Sequence, residues 1–183
     1  GNDLITVNGH SYKNRKSGNT NFALLVSTKF TEPFKEPVKY GQNIAYLANM
    51  LSGGSILIQR FGDLLRGRRS TESRIRKNFV KPTLETAMPG DLSFVLPYRY
   101  LADLKETIFQ LDKVMPGMAD PNTLLYGVEV KFYSVRIKVS KTMESLSVKN
   151  LYCVGDGAGI TRGIIQASAT GIVVADDVMK SVQ

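Results

Sequence analysis

The chain has 183 residues, 43% of them hydrophobic and 22% charged, with one Cys, one His, no Trp and a formal net charge of +8. That length and balance suit one compact domain, or one and a half, and exclude intrinsic disorder and low-complexity architectures. Cys153 alone cannot form an intramolecular disulfide, Cys153 with His10 cannot furnish four nitrogen and sulfur ligands for zinc, and no apolar run reaches the roughly 20 residues of a membrane span. No metal site is expected. The opening residues lack the charged-then-apolar order of a signal peptide, so the expected location is the cytoplasm.

In chain order, the polar stretch to Asn21 reads as loop with a short strand at Leu4 to Val7. Phe22 to Thr28 (FALLVST) reads as a buried strand, and Pro33 and Pro37 keep the next residues extended. Tyr40, Ile44, Leu47, Ala48 and Leu51 fall at helical spacing, which predicts a helix over Val38 to Leu51 ended by Gly53 and Gly54. Ile56 to Gln59 predicts a brief strand and Phe61 to Leu65 a short helix. Asn78 to Asp91 reads as connection with at most one helical turn. From Tyr98 to Val114, behind Pro97, Leu101, Leu104, Ile108, Leu111 and Val114 recur at helical steps. Leu124 to Val130 and Phe132 to Val139 are β-type runs, the second alternating well. The expected class is mixed α/β (α+β), with two clear helices over a partly antiparallel sheet.

The last 35 residues carry the chemistry. Leu151 to Val154 predicts a strand, Gly155-Asp156-Gly157-Ala158-Gly159 a tight turn, and the residues from about Thr161 to Val178 an apolar helix. Such a strand, glycine turn and helix aim backbone N–H groups and the positive helix end at whatever lies beyond the strand. Glycine permits positive φ there and lets a ligand approach the backbone. Asp156 can accept hydrogen bonds from sugar hydroxyls. Gly163 and Gly171, with Ala167, Ala169 and Ala175, make a small-residue face. A structural glycine turn before a buried helix would look similar. A first-strand dinucleotide fingerprint opens a βαβ unit, whereas here one helix follows and the chain ends, so the turn reads as the closing element of a cofactor site.

These residues resemble the terminal flavin-contacting element of flavoproteins with two dinucleotide-binding folds. More widely, the chain resembles the C-terminal part of the bacterial and archaeal NAD(FAD)-utilising dehydrogenases, uncharacterised FAD-dependent dehydrogenases. The matching stretches are Asn8 to Tyr12 with Arg15, Asn19 to Val26, Gln59 to Leu65, Leu96-Pro97, Leu124 to Glu129, Val135 to Ile137 and Leu151 to Gly171. The resemblance implies a piece of a two-domain FAD-dependent oxidoreductase, with residues 1–149 a substrate or cap region and 150–183 the last element of the FAD domain. It implies FAD, with NAD(P)H as electron donor or acceptor, an N-terminal FAD-binding half as partner, and a piece inactive by itself. Asp156 would then hold the ribityl or pyrophosphate region, and the backbone at Gly163, Ile164 and Ile165 would reach the pyrimidine edge. Gly155, Gly157, Ala158, Gly159 and Ile160 complete the implied cofactor set. Val130-Lys131, Ser134-Val135 and, in the terminal turn, Thr161-Arg162 depart from the pattern of many relatives.

Other candidates are weaker. His10 reads as an ordinary surface histidine or an acid or base near the flavin. Gln59 and Arg60 end a strand, where ligand contacts often lie in α/β sheets. Cys153 in an apolar strand reads as a buried, inert thiol. The sequence singles out no catalytic residue, substrate or oligomeric state. An alternative of another class is a basic module for RNA or another polyanion, built on Arg60 to Lys77. The plainer reading of that stretch is a solvated face or a patch facing an acidic neighbour, and only Phe61 and Phe79 flank the arginines.

Overall fold

The computed structural model describes residues 4–10, 12–131 and 136–181. The chain divides into two compact units, Gly1–Val130 and Lys131–Gln183.

In the first unit, helix α1 spans Pro37–Leu51. Proline at its start costs no hydrogen bond, because the first amides of a helix have no acceptor within it. Gly53 and Gly54, both at positive φ, end it, and the Gly54 N–H folds back onto the Asn49 carbonyl at 2.7 Å. Its buried positions are small, Gly41, Ala45 and Ala48, which lets the helix come close to the sheet. Asn49 on the same helix acts as a substitute strand edge. Its side chain donates to the Ile5 carbonyl at 2.7 Å and accepts from the Ile5 N–H at 2.8 Å. The expected strand at Leu4 to Val7 is therefore an extended segment held by a side chain and by one bond from the Val7 N–H to the Val128 carbonyl.

Strand β1 (Leu57–Arg60) is central, between the two-residue β2 (Met88–Pro89), parallel to it, and β3 (Leu124–Gly127), antiparallel. Leu57 pairs with both Met88 and Gly127. The sheet is thus mixed, within an α+β arrangement as its sequence predicts. Ala45 and Ala48 pack with Leu57, Leu92, Val95 and Val128 in one core cluster. Helices α2 (Phe61–Leu65) and α4 (Tyr98–Asp112) build the other, from Phe61, Leu64, Leu101 and Ile108. Between them lies α3 (Glu72–Lys77), capped by Thr71 and burying only Ile75. The run Phe22 to Thr28 is not a strand. It lacks a ladder, Phe22 and Leu25 are exposed, and only Leu24 reaches the second core cluster. β-Preferring residues make a strand only where an edge receives them.

Gly62 shows how tightly α2 is seated. Its N–H donates to the Pro121 carbonyl at 3.0 Å, and a Cβ there would lie 2.7 Å from Pro121 Cβ and 3.1 Å from its backbone. Because that backbone is hydrogen-bonded in place, Gly62→Ala is expected to destabilise the unit by about 1–2 kcal/mol by overpacking. A urea unfolding curve measures it, and an unchanged midpoint would contradict the close packing.

In the second unit, residues 132–135 of the predicted Phe132 to Val139 strand lie outside the described residues; Val139 pairs with Ser145 in one isolated antiparallel bridge. Leu151 to Val154, predicted as a strand, is reduced to the bridge Glu144 to Tyr152, flanked by a bond from the Cys153 N–H to the Met143 carbonyl. Too few consecutive pairs form here for a ladder. Ile137 donates to the Ala158 carbonyl and Ser145 to that of Leu151, so the residues before 150 share a unit with the glycine turn. Helix α5 spans Ile164–Ser181, starting three residues after the expected Thr161, beyond Gly163. No helix among the described residues is long and apolar enough to cross a membrane.

Candidate functional site

The end of β1 in the first unit carries a polar network. Gln59 is 0% exposed; its Nε2 donates to the Arg68 carbonyl at 2.9 Å and to Asp91 Oδ1 at 3.2 Å, and its Oε1 accepts from the Leu92 N–H at 2.8 Å. Arg60 is half-buried, with Nε donating to Asn78 Oδ1 at 2.7 Å and Nη2 to Asn122 Oδ1 at 3.1 Å. Asp63 accepts from Arg68 Nε and from Ser70 Oγ, both at 2.8 Å, and lies 3.8 Å from Arg60 Nη1. Among the described residues no buried side-chain nitrogen or oxygen lacks a partner. A network whose buried atoms are all satisfied holds loops together. Gln59, named from sequence as a substrate contact, is therefore placed where its amide secures the loop after β2. Arg60 joins two loops through the asparagines. Sequence reasoning did not single out Asp63, Ser70 or Asn78, although two polar residues closing an apolar strand signalled buried polar partners.

His10 is exposed, its carbonyl accepting from Asn21 Nδ2 at 3.0 Å and its ring edge-on to Tyr12. The Arg15 guanidinium lies over the Tyr12 ring, 3.9 Å from its centre. The arrangement is a surface stack of polar and aromatic side chains.

The glycine turn of the second unit is built differently. Gly155 adopts φ +70° and Gly159 φ +69°, and residues Asp156–Ala158 form a short 3₁₀ turn between them. The Gly155 N–H donates to Thr170 Oγ1 at 3.0 Å, and the Thr170 hydroxyl donates to the Ala167 carbonyl at 2.7 Å. The turn is thereby pinned to α5 two turns into the helix. Ala167 provides the close approach, since a Cβ on Gly155 would lie 3.4 Å from its own Cβ.

Asp156 is bound within the turn. Its carboxylate accepts from Thr161 Oγ1 at 2.7 Å and from the Gly163 N–H, 3.2 Å from each oxygen. It acts as a cap that shapes the segment entering α5. The Gly163 amide is thus engaged within the turn. The amides of Ile164 and Ile165 open the helix, where no intrahelical acceptor exists, and their side chains are 87% and 83% exposed. Gly157 faces open space, with nothing within 4 Å of where a Cβ would stand. Cys153 is buried as expected. Tyr152 donates to Asp177 Oδ2 at 3.0 Å, and that bond to a carboxylate raises the phenol pKa above its usual range.

Backbone donors at a helix start beside exposed aliphatic side chains can meet a ligand that has hydrogen-bond acceptors and an apolar face.

A family model described as FAD-dependent protein, C-terminal domain-like, matches residues 1–132. The chain belongs to this family. It is also similar to an uncharacterised protein of Clostridium beijerinckii, 32% identical over 185 residues that take in 96% of this chain and 34% of that protein. The chain therefore spans about a third of that relative's length. The family match coincides closely with the first unit, and the glycine turn lies beyond it. The likeness to the clostridial protein, at 96% of the chain, extends over the second unit as well.

Proposed function

We propose that the chain is the C-terminal portion of a cytoplasmic FAD-dependent oxidoreductase of dehydrogenase type, in which the turn Gly155 to Gly163 and the start of α5 close the flavin site. When bound, the isoalloxazine would carry the hydride or electrons, and the protein would supply position and electrostatics. The observation that carries the reading is the pairing of helix-start amides with exposed Ile164 and Ile165 on a turn whose backbone is pinned by Thr170. Membership of an FAD-dependent family supports it. The family's description names FAD and no nicotinamide cofactor, so NAD(P)H rests on the dehydrogenase resemblance alone.

The described residues of the second unit bury little apolar surface. Among its described residues the buried apolar ones are Cys153 and Ala158, whereas Ile164, Ile165, Ile172 and Met179 of α5 stand exposed. A helix with this much uncovered apolar surface requires a partner. In this reading the partner is the FAD-binding portion of a longer polypeptide, with a small molecule as substrate.

Flavin fluorescence titration tests the reading, with the 183-residue chain and with a polypeptide extended to the length of the clostridial relative. Quenching is expected with the longer polypeptide, and Asp156→Ala should weaken it about tenfold, the loss of a capping side chain. Failure of the longer polypeptide to bind FAD would refute the proposal, and an unaffected Asp156→Ala variant would remove the turn from the site.

A further inference from the structure

We propose that α3 and the loops on either side of it form a binding surface for single-stranded nucleic acid, independent of the flavin site. Arg66 and Arg69 precede the helix, Arg76 and Lys77 occupy its last turn, and Lys81 follows it; all five are exposed. The sequence sets Asp63 and Glu72 against this charge; Glu72 stands exposed at the start of α3, but Asp63 is 0% exposed and already holds Arg68 and Arg60. Its charge is spent inside the fold. Among the described residues none of the five cations is paired with a carboxylate. Two bonds tie the flanking loops to the helix. Arg74 Nη1 donates to the Arg69 carbonyl, and Lys81 Nζ to that of Arg76, both at 2.9 Å. The helix between is six residues, about 9 Å long at 1.5 Å per residue.

A cationic patch alone would fit any polyanion. The second observation is Phe79, 87% exposed, two residues from Lys77 and from Lys81. Of the two aromatic residues near the arginines, Phe61 is buried in the core, and Phe79 is the one presented to solvent. The loop does not leave it loose. The adjacent Asn78 is buried and tied at three points, accepting from Arg60 Nε and donating Nδ2 to the carbonyls of Val80 and Asn122. A ring held in water among unpaired arginines and lysines is a stacking platform beside a phosphate track. Protein interfaces place their charges at the rim of an apolar core, and here a single ring stands among cations. Double-stranded nucleic acid keeps its bases stacked on each other, so a ring of this kind selects single strands.

The test is fluorescence anisotropy of a labelled oligouridine of about 12 nucleotides, titrated with the 183-residue chain at about 50 mM and about 200 mM salt. Binding is expected at the lower salt and should weaken steeply at the higher. Arg69→Ala should flatten the dependence of log affinity on log salt by about 0.7, the share of one phosphate contact on a single strand. Phe79→Ala should weaken binding about tenfold, while Phe79→Tyr keeps it. The combined Arg66→Glu, Arg69→Glu and Arg76→Glu chain should not bind. These side chains are exposed, so unchanged thermal unfolding of each variant shows that the fold persists. No anisotropy change at low salt would overturn the proposal. So would binding that Phe79→Ala leaves intact and that inorganic polyphosphate displaces as well as unlabelled oligouridine does, because that pattern describes an anion patch without base stacking.

Discussion

Asp63→Ala is expected to cost the first unit about 2–3 kcal/mol, mainly the cost of leaving buried donors without their acceptor. The carboxylate has no exposed surface, and Arg68 Nε and Ser70 Oγ both donate to it at 2.8 Å. Ser70 in turn accepts from the Arg60 N–H at 2.9 Å, and the Ser70 N–H donates to the Gly90 carbonyl. Taking away the carboxylate leaves a buried hydroxyl without its acceptor and the exposed Arg68 guanidinium without its ion pair. The damage then spreads to β2, because Gly90 also donates to Ile58 of β1. Asp63→Asn keeps the shape and one acceptor, so its cost should be smaller, about 1–2 kcal/mol. Urea unfolding followed by circular dichroism separates the two. A cost below about 1 kcal/mol for the alanine variant would mean that the network is ornamental and that α2 is held by apolar packing alone.

That network marks the limit of what the sequence made legible. α1 and α4 were readable because their apolar residues recur at steps of three and four and because Pro97 and the Gly53-Gly54 pair punctuate them. β1 was readable as an apolar run, and α2 as a helical turn after it. α3 has one buried position and so no periodicity, although Thr71 followed by Glu72 offered a start signal. β2 is two residues, one of them proline, and exists only because β1 aligns it. The 22–28 run failed the other way, since its composition suits a strand and the fold gives it no edge. Gln59 and Arg60 stood out at a strand end, but their partners Arg68, Asn78, Asp91 and Asn122 lie up to 62 positions away in the chain, and only the fold brings them together. In the turn, the glycines were legible as places of unusual backbone. The bonds that Asp156 makes to Thr161 and Gly163 were not, because they depend on how the turn folds.

Gly155→Ala is expected to destabilise the second unit by about 2–3 kcal/mol, whereas Gly157→Ala, two residues on, should be neutral or slightly stabilising. The contrast is conformational. Gly155 sits at φ +70° and ψ −163°, a region in which a Cβ is strained whatever space surrounds it. Gly157 lies within the 3₁₀ turn, outside positive φ, with open space where its Cβ would go. Space is not the issue at Gly155 either, since the nearest atom to an added Cβ would be Ala167 Cβ at 3.4 Å. If the backbone relaxes, the N–H that donates to Thr170 Oγ1 turns away and the tie between the turn and α5 is lost. Few buried apolar residues stand behind that tie, so the unit has little else to compensate with. Amide hydrogen exchange over 164–181 should therefore quicken in Gly155→Ala and stay unchanged in Gly157→Ala. Equal exchange in both variants would show that the turn conformation does not hold the helix. In the longer polypeptide the same pair tests the proposed flavin site, because a turn that positions the α5 amides for FAD would lose affinity with the first substitution and keep it with the second.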